Sequence, residues 1–294
     1  MHNKRTVVRT LWSLGPATLA VVCLVGLSGC IGLKSKPQHP PTAVVVAGTA
    51  QAGFERFDIP TSLMPIAVWK KGRHGPKGTH VYIEGDGYAW RSSTQPSKDP
   101  TPRNPVALRL ALTDPAASVL YISRPCQYVM APQRKACDKK YWTSHRFSPE
   151  VVRAIDEVIN HFVGNSETKT VGLVGFSGGG AIAALLAARR ADVRWLITVA
   201  GNLDTDAWTS HHRVTPLNGS TNPRLIANRI SDLPQLHLFG GRDEIMPAAI
   251  SKRFRAQING FALRAQTIDS FDHSCCWAER WVDFVTPNQW PLRQ

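Results

Sequence analysis

Thr170-Val-Gly-Leu-Val-Gly-Phe-Ser-Gly-Gly-Gly180 is a run of strand-forming residues that delivers Ser177 into a glycine cluster. Val171, Leu173, Val174 and Phe176 supply the strand, and Ala181-Ile-Ala-Ala-Leu-Leu-Ala-Ala188 supplies a buried helix after it. Gly175-Phe-Ser-Gly-Gly179 therefore sits at a strand-to-helix corner. Such a corner is a nucleophile elbow: it lifts the serine hydroxyl clear of the sheet, and the residues two before and two after must be small for the backbones to approach. The five-residue pattern by itself is weak evidence, since glycine-rich loops produce it by chance. The strand on one side and the helix on the other give it weight.

Working outward, strand and helix signals alternate along the chain. Strand-like runs occur at Ala67–Trp69, His80–Glu84, Ser118–Ser123, Trp195–Ala200, Gln235–Phe239 and Leu263–Ile268. Between Pro149 and Phe162, residues Val151, Ile155, Val158, Ile159 and Phe162 recur at three- and four-residue spacing, which predicts an amphipathic helix. A second helix is predicted near Pro247 to Gln257. A closing helix is predicted to carry Trp277 and Trp281 on one face. This alternation predicts an α/β protein with a mostly parallel central sheet and helices on both faces.

A serine hydroxyl is nearly unreactive at neutral pH, so Ser177 needs a base and an acid that orients the base. The strand Gln235–Phe239 runs into Gly240-Gly-Arg-Asp-Glu-Ile-Met-Pro247, placing Asp243 at a strand's carboxyl end. The strand Leu263–Ile268 runs into Asp269-Ser-Phe-Asp-His-Ser274, placing His273 in the next such loop. Asp204, one strand earlier, is an alternative acid, whereas Asp272 is too close in sequence to orient the ring of His273. In the order Ser177, Asp243, His273, and in the Gly-x-x-Asp-x-x-x-Pro acid loop, the chain resembles the α/β-hydrolase superfamily from about Ala67 to Trp281. The resemblance implies the α/β-hydrolase fold and an acyl-serine mechanism that needs neither metal nor organic cofactor. Gly178 N–H supplies one oxyanion donor. The resemblance places the second in the loop Glu84-Gly-Asp-Gly87, with Asp86 N–H favoured and Gly87 next. Where the superfamily often has histidine, this chain has Glu84. That glutamate and Asp86 could repel anions or select a cation; alternatively they satisfy nearby arginines.

The expected activity is hydrolysis of a small-molecule ester or an acylated envelope component. A peptidase or acyltransferase on the same fold stays open, as does a binding protein without catalysis, because fold and triad do not separate them. Two long segments are candidate pocket walls: Arg124 to Phe147, with Tyr128, Tyr141, Trp142, His145 and Arg146, and Asp204 to Pro223, with Trp208, His211 and His212. The aromatic residues of the first could equally cover the sheet edge.

Residues 1–29 read as a signal segment, with Lys4, Arg5 and Arg9 ahead of the apolar run Ala17–Leu27. Leu27-Ser-Gly-Cys30 resembles the bacterial lipobox, which implies lipidation of Cys30 and, with Ile31 next to it, sorting to the outer membrane facing the periplasm. An uncleaved membrane helix over residues 11–33 is the alternative. Residues 30–61 read as a tether and 62–294 as one domain. The net charge of +14 falls to +11 without the three basic residues of the signal. The basic residues are dispersed, with no stripe of interleaved aromatics, so the charge suits an anionic envelope and not specific nucleic-acid binding. Of six cysteines, Cys126 and Cys137 are expected to pair in an oxidising compartment, while the state of Cys275 and Cys276 is open. No metal-ligand spacing accompanies them.

Overall fold

Eight strands form one sheet in the order β1-β2-β4-β3-β5-β6-β7-β8. They are β1 (Glu55–Ile59), β2 (Ile66–Lys71), β3 (Thr79–Ile83), β4 (Val119–Ile122), β5 (Val171–Phe176), β6 (Val193–Val199), β7 (Gln235–Gly240) and β8 (Leu263–Ile268). The computed structural model describes residues 42–130, 136–164 and 170–285. β2 runs antiparallel to β1 and to β4, and the remaining neighbours are parallel. β5 lies at the centre, buried at every position. A strand covered on both faces has no reason to alternate, which is why its sequence is a continuous apolar run.

The helices divide between the two faces. In β3, Val81 and Ile83 enter the core formed with α3 (Pro149–Phe162) and α4 (Gly178–Ala187). Tyr82, between them, enters the opposite core with α2 (Val106–Thr113) and the buried Trp277 and Trp281, as the two-residue period of a strand requires. α3 starts at Ser148, whose side chain accepts the Val151 N–H, with Pro149 in the first turn where its missing N–H costs nothing. α2 has no such cap of its own, because Pro105 precedes it. The buried Glu84 carboxylate takes that role instead, accepting the Ala107 and Leu108 N–H groups at 3.4 Å.

Two expectations need correction. Residues 42–61 belong to the domain and are not tether: α1 (Thr42–Gly48) buries Val45, Phe54 is buried, and β1 pairs with β2 along its whole length. β1 escapes a reading based on apolar runs because it is an edge strand, Glu-Arg-Phe-Asp-Ile, polar where it meets solvent. Trp277 and Trp281 are fully buried, but they lie in a turn-rich segment ahead of the short α6 (Val282–Val285) and not on a closing helix. The signal segment, the Cys30 lipid site and residues 30–41 of the expected tether lie outside the described residues. Cys126 and Cys137 are joined as a disulfide, their Cα atoms 5.8 Å apart. Cys275 and Cys276 are also bonded, across a cis peptide.

Candidate active site

Ser177 closes β5 with φ 51° and ψ −120°, a left-handed conformation uncommon for a residue with a side chain. Crossing β5 into α4 this abruptly brings Gly175 against the Gly179 carbonyl, and Gly179 against the carbonyls of Ile83 and Glu84. A Cβ at either position would overlap those atoms. The two glycines singled out from the sequence are thus required by close approach of backbone to backbone. Ser177 is further fixed from β6, because its own N–H bonds the Val199 carbonyl and its carbonyl accepts the Asn202 N–H.

The three side chains expected to act together do meet. His273 Nε2 lies 3.1 Å from Ser177 Oγ, and His273 Nδ1 lies 2.9 Å from Asp243 Oδ2. An ionised carboxylate only accepts hydrogen bonds, so Nδ1 is the protonated nitrogen, leaving Nε2 free to accept from the serine hydroxyl. Asp243 is 5% exposed, and its second oxygen accepts the N–H groups of Ile245 and Met246 at 2.9 and 2.8 Å. Its carboxylate therefore cannot rotate away from the imidazole without losing both. Trp277 Nε1 donates to the His273 carbonyl, and the Phe176 ring lies 5.1 Å from the imidazole, centroid to centroid. Asp272 Oδ1 accepts the Ser274 and Cys275 N–H groups.

Asp204, the alternative acid, is placed elsewhere. It caps α5 (Thr205–His212) through the Ala207 N–H and is held by Asn222 Nδ2 and Arg253 Nε at 3.1 and 2.8 Å. With its oxygens taken, it is not brought to His273.

The Gly178 N–H opens α4, and among the described residues no backbone acceptor takes it or the N–H groups of Asp86 and Gly87. Gly85 packs against Phe176 and Ser177, so the 84–87 loop lies over the serine. The two acidic residues of that loop have separate fates. Asp86 faces Arg124 and Arg146 at 3.2 and 2.7 Å, as the arginine alternative expected. Glu84 makes no direct ion pair with an arginine among the described residues. It is buried, accepting from Gly85 N–H at 2.9 Å and from Tyr121 Oη at 3.0 Å, and burial raises its pKa to about 7 against the opposing pull of those donors.

A cavity of about 520 Å³ opens above Ser177 and His273. Both expected walls reach it, the first through Arg146 and the second through Trp208. Tyr128 covers the sheet instead, 5.0 Å from the Trp69 ring. Sequence reading missed Tyr88, Trp90, Asn104, Asn202 and Met246 in the lining. Asn202 Oδ1 and Asn104 Nδ2 are buried without a hydrogen-bond partner among the described residues, a feature no residue pattern announces. Met246 follows Asp243 by three, so the acid loop itself was the available signal. Among the described residues, no group of three or more His, Cys, Asp or Glu side chains is placed to hold a metal ion.

Sheet order, elbow and strand-end loops together define an α/β-hydrolase fold. Solved structures share it. Over 79% of this chain and 91% of the other, the chain superposes on an esterase from Pyrococcus furiosus with TM-score 0.51 and 12% identity. The acylaminoacyl peptidase of Pyrococcus horikoshii gives TM-score 0.55 and 11% identity over 79% of this chain and 40% of that one. A 2,6-dihydroxy-pseudo-oxynicotine hydrolase gives 0.53 and 16% over 83% and 73%. At such identities the likeness is one of fold. No curated protein sequence matches the chain. Residues 119–274, which contain Ser177, Asp243 and His273, match the model of the dienelactone hydrolase family, and the chain belongs to that family of hydrolases.

Proposed function

We propose that the protein is a serine hydrolase of carboxylic esters, held at the bacterial cell envelope by lipid on Cys30. The observation that carries the catalytic reading is the continuous hydrogen-bond path from Ser177 Oγ through His273 to Asp243. Ser177 Oγ attacks the ester carbonyl carbon while His273 Nε2 takes its proton, and Asp243 stabilises the imidazolium. The carbonyl oxygen acquires its charge beside the N–H groups of Gly178 and of Asp86 or Gly87. As the tetrahedral adduct collapses, the alcohol leaves with the proton from His273. Water, deprotonated by the same imidazole, then releases the acid from the serine. The apolar rim of Trp90, Trp208 and Met246 suits the hydrocarbon part of such a substrate.

Hydrolysis of p-nitrophenyl esters by the chain and by its Ser177→Ala variant tests this reading. Base and oxyanion donors each contribute about 10²-fold or more, so the variant is expected to lose turnover entirely. Full retention of turnover in the variant rejects it. The envelope half rests on the lipobox resemblance and is tested separately. Cys30→Ala is expected to change gel mobility and release the protein from the membrane fraction; unchanged processing and retention reject lipidation.

A further inference from the structure

Asp86 presents a physical problem. Its carboxylate packs against Gly178 so closely that a Cβ on that glycine would overlap it, and Gly178 N–H is the first oxyanion donor of the reading above. A fixed negative charge beside the place where another develops opposes the transition state. The chain surrounds this carboxylate with two guanidiniums. Arg124 Nη1 reaches Oδ1 at 3.2 Å and Arg146 Nη1 reaches Oδ2 at 2.7 Å, with arginine side chains only 4% and 6% exposed. Each guanidinium is itself tied to the backbone of the segment between them, Arg124 Nη2 to the Arg146 carbonyl and Arg146 Nε to the Thr143 carbonyl at 2.7 Å.

The same segment grips the loop a second time. Gln127 Nε2 donates to the Gly85 carbonyl at 3.0 Å, while its Oε1 accepts the Arg124 N–H at 3.0 Å. Cys126, next to Gln127, is bonded to Cys137. Gly85 O and both Asp86 carboxylate oxygens are thereby fixed from one side, and the peptide between them carries the Asp86 N–H. Rotation of that peptide would have to break bonds at both ends.

We propose that Arg124 and Arg146 are positioning residues for the reaction: through Asp86 they aim the oxyanion loop at Ser177 and cancel the charge of its carboxylate. An ordinary ion pair pinning the segment to the body would affect folding alone; the clamp acts on the transition state and spares ground-state binding.

This inference rests on the serine-hydrolase reading, and a double-mutant cycle on the full chain separates the two. The variants are Arg146→Gln, Asp86→Asn and the double, with Arg146→Lys as the conservative control and thermal melting as the measure of folded protein. The readouts are kcat and KM for a p-nitrophenyl ester and inhibition by a phenylboronic acid, whose serine adduct is tetrahedral and anionic. Displacing a donor by about 1 Å costs about 10²-fold, so Arg146→Gln is expected to lower kcat about 10- to 100-fold. KM should stay within about threefold, and boronate affinity should fall in parallel with kcat/KM. Arg146→Lys keeps the charge and recovers part of kcat. In the Asp86→Asn background, Arg146→Gln should cost much less than in wild type, because the contact it acts through is gone. An unchanged kcat in folded Arg146→Gln overturns the clamp, as does a full, additive loss in the Asp86→Asn background. Wild-type protein without Ser177-dependent turnover overturns both readings.

Discussion

The loops that follow β6 and β7 each carry a buried aspartate at the carboxyl end of a strand, yet only one meets His273. Asp204, after β6, spends its carboxylate on Ala207 N–H, Asn222 and Arg253. Asp243, after β7, satisfies one oxygen with two backbone N–H groups and leaves the other to His273. The difference is one of supply. Backbone donors hold Asp243 without neutralising it, so its charge remains available to an imidazolium, whereas the Arg253 guanidinium already compensates Asp204. The two loops also touch: Trp208 Nε1 and His212 Nε2, from α5, reach the Ile245 carbonyl in the acid loop at 3.1 and 2.8 Å. The β6 loop therefore braces the β7 loop, and its aspartate is not brought to His273.

The largest effect expected from breaking this comparison is at Asp243. Asp243→Asn presents an amide where the imidazole needs an acceptor and favours the wrong tautomer, so ester-hydrolysis kcat should fall about 10³- to 10⁴-fold. A loss under tenfold would mean that another acid, Asp204 included, substitutes for it.

Beneath the two loops, His237 of β7 is hydrogen-bonded to Thr198 of β6 at 2.7 Å. Burial, with Arg255 nearby, lowers its pKa to about 3. The unfolded chain binds a proton at this position below about pH 6.5 and the folded chain does not until about pH 3, so stability falls as pH drops through that window. Denaturant titrations at pH 7 and 4.5 should show wild type losing about 2–3 kcal/mol more than His237→Leu, at about 1.4 kcal/mol per pH unit. Equal losses would show that this histidine titrates normally.

Glu84, a third carboxylate at a strand end, has the opposite sign. Its folded pKa of about 7 lies above the ordinary 4.5, so its contribution is full below about pH 4.5 and is lost as pH rises toward 7. Between pH 5 and 7, Glu84→Gln should remove about 2–3 kcal/mol of that decline from the stability profile. An unchanged slope would place the proton elsewhere.

The smallest catalytic effect is expected at Asp204. Asp204→Ala should destabilise the fold by about 2–3 kcal/mol through loss of a cap and a charge-assisted hydrogen bond, leaving kcat within about threefold. A collapse of kcat with unchanged melting would reverse the roles assigned to the two loops.

What was legible in the chain follows local rules. The elbow could be read because a strand, a small-residue turn and a helix must be contiguous. Asp243 and His273 could be read because strand-end loops in this architecture open on the same rim. β1 could not, because an edge strand needs no apolar run. The irregular path of Trp277 and Trp281 was equally hidden, since a four-residue spacing fits any segment that buries both rings.

By itself the sequence determined the strand and helix periods, the position of the serine turn and the order of Ser177, Asp243 and His273 along the chain. These depend on neighbours within a few residues. Only the tertiary structure decided which aspartate meets the imidazole, which arginines meet Asp86, and that Glu84 caps a helix some twenty residues on. Each of those outcomes depends on which donors the fold brings within 3–3.5 Å of a buried carboxylate. That distance is set by packing between segments whose separation in the chain carries no trace of it.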